Sequence, residues 1–385
     1  MGRGRLMKVW VIGRHYPSIE NRMRGSFELE QAKMLARGGC DVTYVAVIYH
    51  YRNNIKKWGF TRWEEDGITI CGYSQLYFPE RFNIQLTSFK SYIFKKAINL
   101  VQKEVGLPDI VHIHYPSMIG ESETILALQE KGCRIVCTEH WTSVLTKRLS
   151  NYQLSNLKSY VNRANGFICV SEPLKKAVID LTQTKKKVTV IPNVVESLFE
   201  PSYLNKKNDL FKFICVGRLV KVKQYDKTIE AFNILFKKRK DIYLTIVGDG
   251  NERNRLHKQV IELGLKEYVH FTGSKTRNEV AELMRQSDCL ICYSSLETFG
   301  VPIIEAWASG IPVIASSALG FAEYWKEGLG YIVNQDDIKA LANKMDEIIS
   351  MPVDKRKLSE YSTVQFGENV VCKSIQNFYE FLNKN

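Results

Sequence analysis

No stretch of this chain approaches the ~20 consecutive apolar residues that a membrane-spanning helix needs, so no span is expected. The basic start, MGRGRLMKVWVIG, carries an apolar run too short for a signal peptide and reads as a tail entering a first strand. A G-x-x-x-x-G-K-S/T phosphate loop is missing, which excludes the P-loop nucleotide hydrolases. A D-x-D cluster is missing too, so no acidic site of that kind for a metal and a nucleotide diphosphate is expected. Cys289 and Cys292 have C-x-x-C spacing but no second pair, and on a strand they face opposite ways. The nine cysteines are odd in number and scattered, with Cys137, Cys169 and Cys215 inside apolar runs. They read as packed free thiols of a reducing compartment, which makes the cytoplasm the expected location.

What is present is globular. The 385 residues exceed one ordinary core and imply two domains or three. Hydrophobic content of 45% and charged content of 25% rule out a disordered or collagenous chain. Charge is unevenly spread. Residues 1–193 hold 28 Lys and Arg against 16 Asp and Glu, while the remainder holds 26 against 25. A basic first half points to nucleic acid, an anionic lipid surface or an acidic substrate, or it serves solubility alone. No nucleic-acid recognition module accompanies it.

Short apolar runs predict strands over 8–13, 41–48, 109–115, 134–140, 166–171 and 188–193. Amphipathic runs predict helices over 26–39, 88–105, 121–132 and from Glu172. A polar and aromatic stretch with KKWGFTRW at 56–63 lies among them, and 195–210 reads as a linker. The alternation then restarts, with strands over 211–217, 242–248, 268–273 and 289–295, a short helix at EAWASG, the strand IPVIAS, and a last helix over 365–384 with a heavy aromatic face. Strand–helix alternation with continuous apolar strands indicates an α/β fold of two doubly wound Rossmann-like domains. The expected division is 1–195, 196–364, and a helix at 365–385 packing back on the first domain.

Open parallel sheets bind ligands beyond the carboxyl ends of their strands. Arg218 follows the strand 211–217 directly and Lys223 lies five residues on. A planar fork and a point charge there suit a diphosphate, or they are two solvated loop cations. GDGNER after 242–248 starts like a dinucleotide fingerprint, but Arg253 stands where the third glycine belongs, so it reads as a tight turn. After 289–295 comes SSLETFGVPIIEAWASG. Pro302 suits a first helical turn, which places Glu297 in the loop and Glu305 in the opening turn. Between them Phe299, Gly300 and Val301 can offer backbone N–H groups to an anion. Carboxylates beside such a site would hold hydroxyls, and phosphate beside hydroxyls describes a sugar nucleotide. As bare features, Glu305 equally complements the helix dipole and Glu297 equally caps the helix. In the first half, Gly25 opens a helix and either lets backbone approach a phosphate or only turns the chain. His140 ends a strand beside Trp141, where it could donate to a ligand oxygen. His112 and His114 read as packing or hydrogen-bonding residues.

These motifs, in this order, resemble the retaining glycosyltransferases of family four, whose GT-B fold has two Rossmann-like domains facing across a cleft. The family's E-x7-E motif is Glu297-TFGVPII-Glu305, and its GRL…K motif is Gly217-Arg218-Leu219 with Lys223. VIPNVVE (190–196) is similar to the VIPNGVD segment that closes the first domain, and DIVHIHYPSMIG and TEHWTS are similar to the histidine-bearing strand ends. The resemblance covers nearly the whole chain. It implies that Arg218 and Lys223 hold the donor diphosphate, that Glu297 accepts hydrogen bonds from donor sugar hydroxyls, and that Glu305 binds the ribose. It implies that Phe299, Gly300 and Val301 cradle sugar and phosphate, that His140 touches the donor sugar from the opposite domain, and that Gly25 approaches the diphosphate. It further implies front-side attack with retention, no metal or other cofactor, and a UDP- or GDP-linked donor. The acceptor would be a glycan or lipid-linked glycan of a capsule, lipopolysaccharide or other surface polysaccharide. Four positions depart from the pattern. Gln224 replaces a glycine after the motif lysine, Val194 and Glu196 replace the Gly and Asp of the VIPNGVD segment, and Arg24 precedes Gly25 where two glycines are frequent.

Family members often meet lipid-linked acceptors through a basic first domain. Residues 88–105 place Phe89, Lys90, Tyr92, Phe94, Lys95, Lys96 and Lys103 on one helix, and KKWGFTRW adds Trp58 and Trp63. That composition suits a peripheral protein on the inner face of an anionic membrane, unless the aromatics are core and the lysines solvated. A sugar-nucleotide epimerase of similar fold would need acid–base groups that the E-x7-E pattern does not supply. A non-catalytic sugar-nucleotide binder would have no use for intact Arg218, Lys223, Glu297 and Glu305.

Overall fold

The computed structural model describes residues 6–17, 25–50, 59–76, 83–203, 210–318, 320 and 322–384. Two compact units make up the chain: Met1–Ile191 with Cys372–Asn385, and Pro192–Val371.

The first unit is built on eight strands: β1 (Lys8–Gly13), β2 (Asp41–His50), β3 (Gly59–Glu65), β4 (Ile68–Leu76), β5 (Ile110–His114), β6 (Arg134–Glu139), β7 (Gly166–Cys169) and β8 (Val188–Val190). Their order in the sheet is β3-β4-β2-β1-β5-β6-β7-β8. Every pair is parallel except β3 with β4. The chain runs outward from β1 in both directions, so the order reverses between β1 and β5. The central strands are buried at every position from Val9 to Gly13 and from Ile110 to His114, as expected where helices cover both faces.

The second unit has six parallel strands: β9 (Phe211–Val216), β10 (Ile242–Val247), β11 (Val269–Gly273), β12 (Cys289–Cys292), β13 (Val313–Ser316) and β14 (Gly330–Val333). Their order is β11-β10-β9-β12-β13-β14, and here the reversal lies between β9 and β12. A reversal point leaves an open crevice at the carboxyl ends of the two strands that flank it.

Several expectations need correction. From Gly59 onward the aromatic stretch forms β3, the first arm of an antiparallel β3–β4 hairpin that turns at Asp66 and Gly67 with φ of 47° and 78°. An Asp-Gly pair supplies that left-handed turn, so the signal was in the sequence. The helix Asn151–Arg163, opened by a Ser150–Gln153 capping box, was not anticipated. The helix expected over 365–384 is present but starts three residues later, as Glu368–Lys384, after a separate helix Lys355–Phe366 that ends at Gly367, whose backbone is extended. From Cys372 onward that last helix belongs to the first unit. Tyr379 Oη meets His112 Nδ1 at 2.6 Å, Gln376 donates to the Gly38 carbonyl, and the Phe378 ring fills the space where a side chain at Gly166 would lie.

The proposed membrane face is also narrower than expected. Phe94 is core, 4% exposed, and the Trp63 indole packs edge-on against Tyr16 and donates to Glu65. Tyr92, Lys95, Lys96 and Lys103 remain exposed on the helix Asn83–Val105. Trp58 and the side chain of Phe89 lie outside the described residues, as does Arg24. All nine cysteines are buried free thiols. Among the described residues, no helix is long and apolar enough to cross a membrane.

Candidate active site

In the second unit the site grows from the reversal point. Gly217 leaves β9 at φ 149°, and Leu219 is then pinned from both sides. Its N–H donates to the Asp249 carbonyl, and its carbonyl accepts from Glu252 N–H. Gly248 and Gly250 make this possible, because a Cβ at either would lie within 2.3 Å of the Gly217 or Leu219 carbonyl oxygen. The GDGNER segment is thus the floor under the GRL loop. Arg218 stands between the pinned residues, exposed; its carbonyl accepts from Val220 N–H, while its guanidinium has no hydrogen bond or ion pair among the described residues.

Lys223 ends a short 3-10 turn, Lys221–Lys223, before the helix Tyr225–Lys238. Gln224, which stands in place of a glycine, adopts the left-handed conformation at φ 49° that a glycine would take without strain. The turn is tied to the loop after β12 by Ser295, whose N–H donates to the Val222 carbonyl at 2.8 Å. Because β9 and β12 are neighbours, that tie brings Lys223 onto Glu297. Lys223 Nζ donates to Glu297 Oε1, which also accepts from Ser294 Oγ at 2.8 Å. The two side chains are 19% and 11% exposed. Burial pulls the Lys223 ammonium down, but Glu297 more than offsets it, and the pKa stands above its ordinary value with Arg218 opposing. Arg218 thus lies near enough for its charge to oppose that of Lys223.

The stretch after Glu297 differs in part from expectation. The helix Val301–Ala308 is preceded by Gly300 at φ 89°, and Gly320 packs where a Cβ would meet the Thr298 carbonyl at 2.0 Å. The N–H groups of a first helical turn have no acceptor within the helix, and those near Gly300 and Val301 open at the same strand end as Glu297. The Phe299 ring is core, edge-on to Phe366 and Tyr324. Glu305 is not in the opening turn but is the fifth residue of the helix, 1% exposed. Its Oε1 accepts from Arg277 Nη2 at 2.5 Å, and Arg277 also binds Glu196 at 2.6 Å. Burial raises the Glu196 pKa against the pull of Arg277.

In the first unit the corresponding reversal point, at β1 and β5, carries a second cluster. Arg14 follows β1, bonds Glu28 Oε1 at 2.6 Å, and lies 3.5 Å over the Tyr115 ring. His140, just beyond β6, is 6% exposed. It stacks on Tyr115 and His114, with Nε2 2.9 Å from His114 Nδ1. Beneath it the buried Glu139 accepts from Ser117, His140 N–H and Trp141 N–H, and burial raises its pKa despite those donors. Burial, His140 and Arg14 hold His114 well below the usual histidine range. Gly25 sits at φ 82°, and a Cβ there would lie 2.0 Å from the His15 carbonyl oxygen. Both the positive φ and that contact call for glycine there.

The structure thus brings together Arg218, Lys223, Glu297 and the Gly300–Val301 backbone in one unit, and His140 with Arg14 in the other. Arg277, Ser294, Arg14 and Glu139 were not anticipated, and Glu196 was marked only as a departure from the family pattern. Arg14 follows a strand as directly as Arg218 does, so the same strand-end rule would have found it. Among the described residues, no group of three or more acidic, His or Cys side chains could hold a metal ion.

Residues 28–197 match the model described as Glycosyltransferase Family 4, and residues 199–365 match Glycosyl transferases group 1. The chain is 31% identical over 271 residues to the lipopolysaccharide core biosynthesis glycosyltransferase LpsD of Rhizobium meliloti, covering 68% of this chain and 76% of that one. It is 26% identical over 379 residues to the N-acetyl-alpha-D-glucosaminyl L-malate synthase of Bacillus anthracis, covering 95% and 94%. Anabaena HepE, solved in complex with UDP-glucose, superposes with a TM-score of 0.71 at 17% identity, covering 97% of this chain and 99% of that one.

Proposed function

The chain belongs to the family-four glycosyltransferases of GT-B fold, and we propose that it moves a sugar from a UDP- or GDP-linked donor to a glycan or lipid-linked glycan acceptor, with retention and without a metal. The observation that carries this reading is the convergence of Arg218, Lys223 and Glu297 at the reversal point of the second sheet. Departure of a nucleoside diphosphate concentrates negative charge on its terminal phosphate. Two cations at that strand end, Lys223 held by its ion pair and Arg218 on a pinned backbone, would offset that charge. Glu297 and Glu305 offer acceptors to sugar and ribose hydroxyls, and the Phe299–Val301 backbone offers donors. In the first unit, His140 is assigned to a sugar hydroxyl and Gly25 to a close backbone approach. The acceptor hydroxyl would attack from the face the leaving group departs.

The UDP-glucose complex of HepE supports a nucleotide-sugar donor, and LpsD supports an acceptor in lipopolysaccharide or related surface polysaccharide. The Bacillus anthracis relative, matched over nearly its whole length, is named for a small hydroxy acid, so L-malate belongs among the acceptors tried. A thermal-shift screen across UDP- and GDP-sugars tests the donor assignment. A donor that binds only the folded protein raises its melting temperature, and no shift with any of them would remove the reading.

A further inference from the structure

Arg277 is the first residue of the helix Arg277–Arg285, where the helix dipole disfavours a cation. That helix end needs nothing from it, since Thr276 and Glu279 already form a capping box. Its guanidinium instead turns to two carboxylates. Nε and Nη2 both reach Glu196 Oε1 at 2.6 Å, and Nη2 reaches Glu305 Oε1 at 2.5 Å, while the Phe199 ring lies 4.7 Å away. Glu305 belongs to the E-x7-E motif, and only its Oε1 is engaged by a side chain among the described residues. Glu196 is one of the departures from the family pattern, a methylene longer than the usual aspartate. Two buried like charges so close need a shared cation, and a planar fork is the side chain that serves both.

We propose that Arg277 is a positioning residue of the donor site, holding Glu305 by one oxygen so that the other faces the ribose hydroxyls, with Glu196 anchoring the guanidinium. This rests on the reading of Glu305 as the ribose ligand. Arg277 touches no substrate. Removing it frees Glu305 to turn away and leaves Glu196 repelling it.

The test titrates the full chain by calorimetry with UDP and GDP, each against its 2′,3′-dideoxy analogue, in wild type, E305Q, R277Q and R277K. Wild type should prefer the ribonucleotide of the pair it binds by about tenfold, the scale of a charged hydrogen bond. E305Q and R277Q should lose that preference. R277K, which keeps the charge without the fork, should lose most of it, and it decides the matter if R277Q does not fold. Preference lost in E305Q but intact in R277Q, or in R277K where R277Q is unfolded, overturns the positioning role and leaves the Glu305 assignment standing. Preference intact in E305Q, or missing in wild type, overturns the assignment of Glu305 and the inference with it.

Discussion

Lys223 and Glu297 lie 74 positions apart in the chain, yet the ammonium of one donates directly to the carboxylate of the other. They meet because β9 and β12 are adjacent at the reversal of strand order, and Ser295 ties their loops together. Each is the other's partner in the fold, and on the proposed reading a donor would place its phosphate and sugar hydroxyls alongside this pair.

Lys223→Ala leaves Glu297 largely buried with Ser294 as its remaining strong donor, and should cost about 1–3 kcal/mol of stability. Glu297→Gln alone should cost a comparable amount, and the double variant less than the sum, with a coupling of roughly 1 kcal/mol. Urea unfolding of the four proteins measures this. Strict additivity would mean that the pair does not interact.

Arg218 should behave in the opposite way. It is exposed and unpaired among the described residues, so Arg218→Ala should leave unfolding free energy within about 0.5 kcal/mol of wild type. Affinity for the nucleoside diphosphate should fall about 10- to 100-fold, the worth of a charged contact. A large loss of stability with unchanged affinity would make Arg218 structural.

Burial holds His112 and His114 well below the ordinary histidine value of 6.5, His112 with help from His114, and His114 with help from His140 and Arg14. Both are neutral in the fold and take up a proton on unfolding in acid. The stability they contribute is therefore complete above 6.5 and is lost as pH falls below it. Each adds a slope of up to about 1.4 kcal/mol per pH unit. Urea midpoints of the first unit should drop between pH 7 and 5, and His112→Gln should flatten the drop relative to its own value at pH 7. An equally steep fall in that variant would place the acid sensitivity elsewhere.

The exposed residues Tyr92, Lys95, Lys96 and Lys103 fall on one side of the helix Asn83–Val105. If they meet an anionic lipid surface, the protein should sediment with anionic vesicles and not with neutral ones, at about 1 kcal/mol per lysine near the surface. Charge reversal of Lys95 and Lys96 should release it. Binding that ignores lipid charge, or none at all, would leave the lysines as solubilising groups.

Much of the fold was legible because its central strands are buried on both faces and write themselves as unbroken apolar runs, as at 9–12 and 289–292. The hairpin at β3–β4 was not, since its outer strand is half exposed and follows no apolar pattern, although Asp66-Gly67 marked its turn. The cations and carboxylates after β9 and β12 were legible from the strand-end rule and the spacing of Glu297 and Glu305. Spacing could not reveal that Glu297 faces Lys223 or that Glu305 is held by Arg277, because those pairings depend on which strands are neighbours. Sequence order alone does not state this. Gln224 shows the converse: it replaces a glycine of the family pattern, yet the backbone takes the left-handed turn a glycine would.

The most direct measurement is release of nucleoside diphosphate from UDP- and GDP-sugars, with acceptor present, by wild type, Arg218→Ala and Glu297→Ala. The wild type should turn over one donor class, and each variant should lose at least about 100-fold in kcat/KM, roughly 2.7 kcal/mol of transition-state stabilisation, while remaining folded. Wild-type rates in both variants would contradict the assignment of the site at the reversal point of the second sheet.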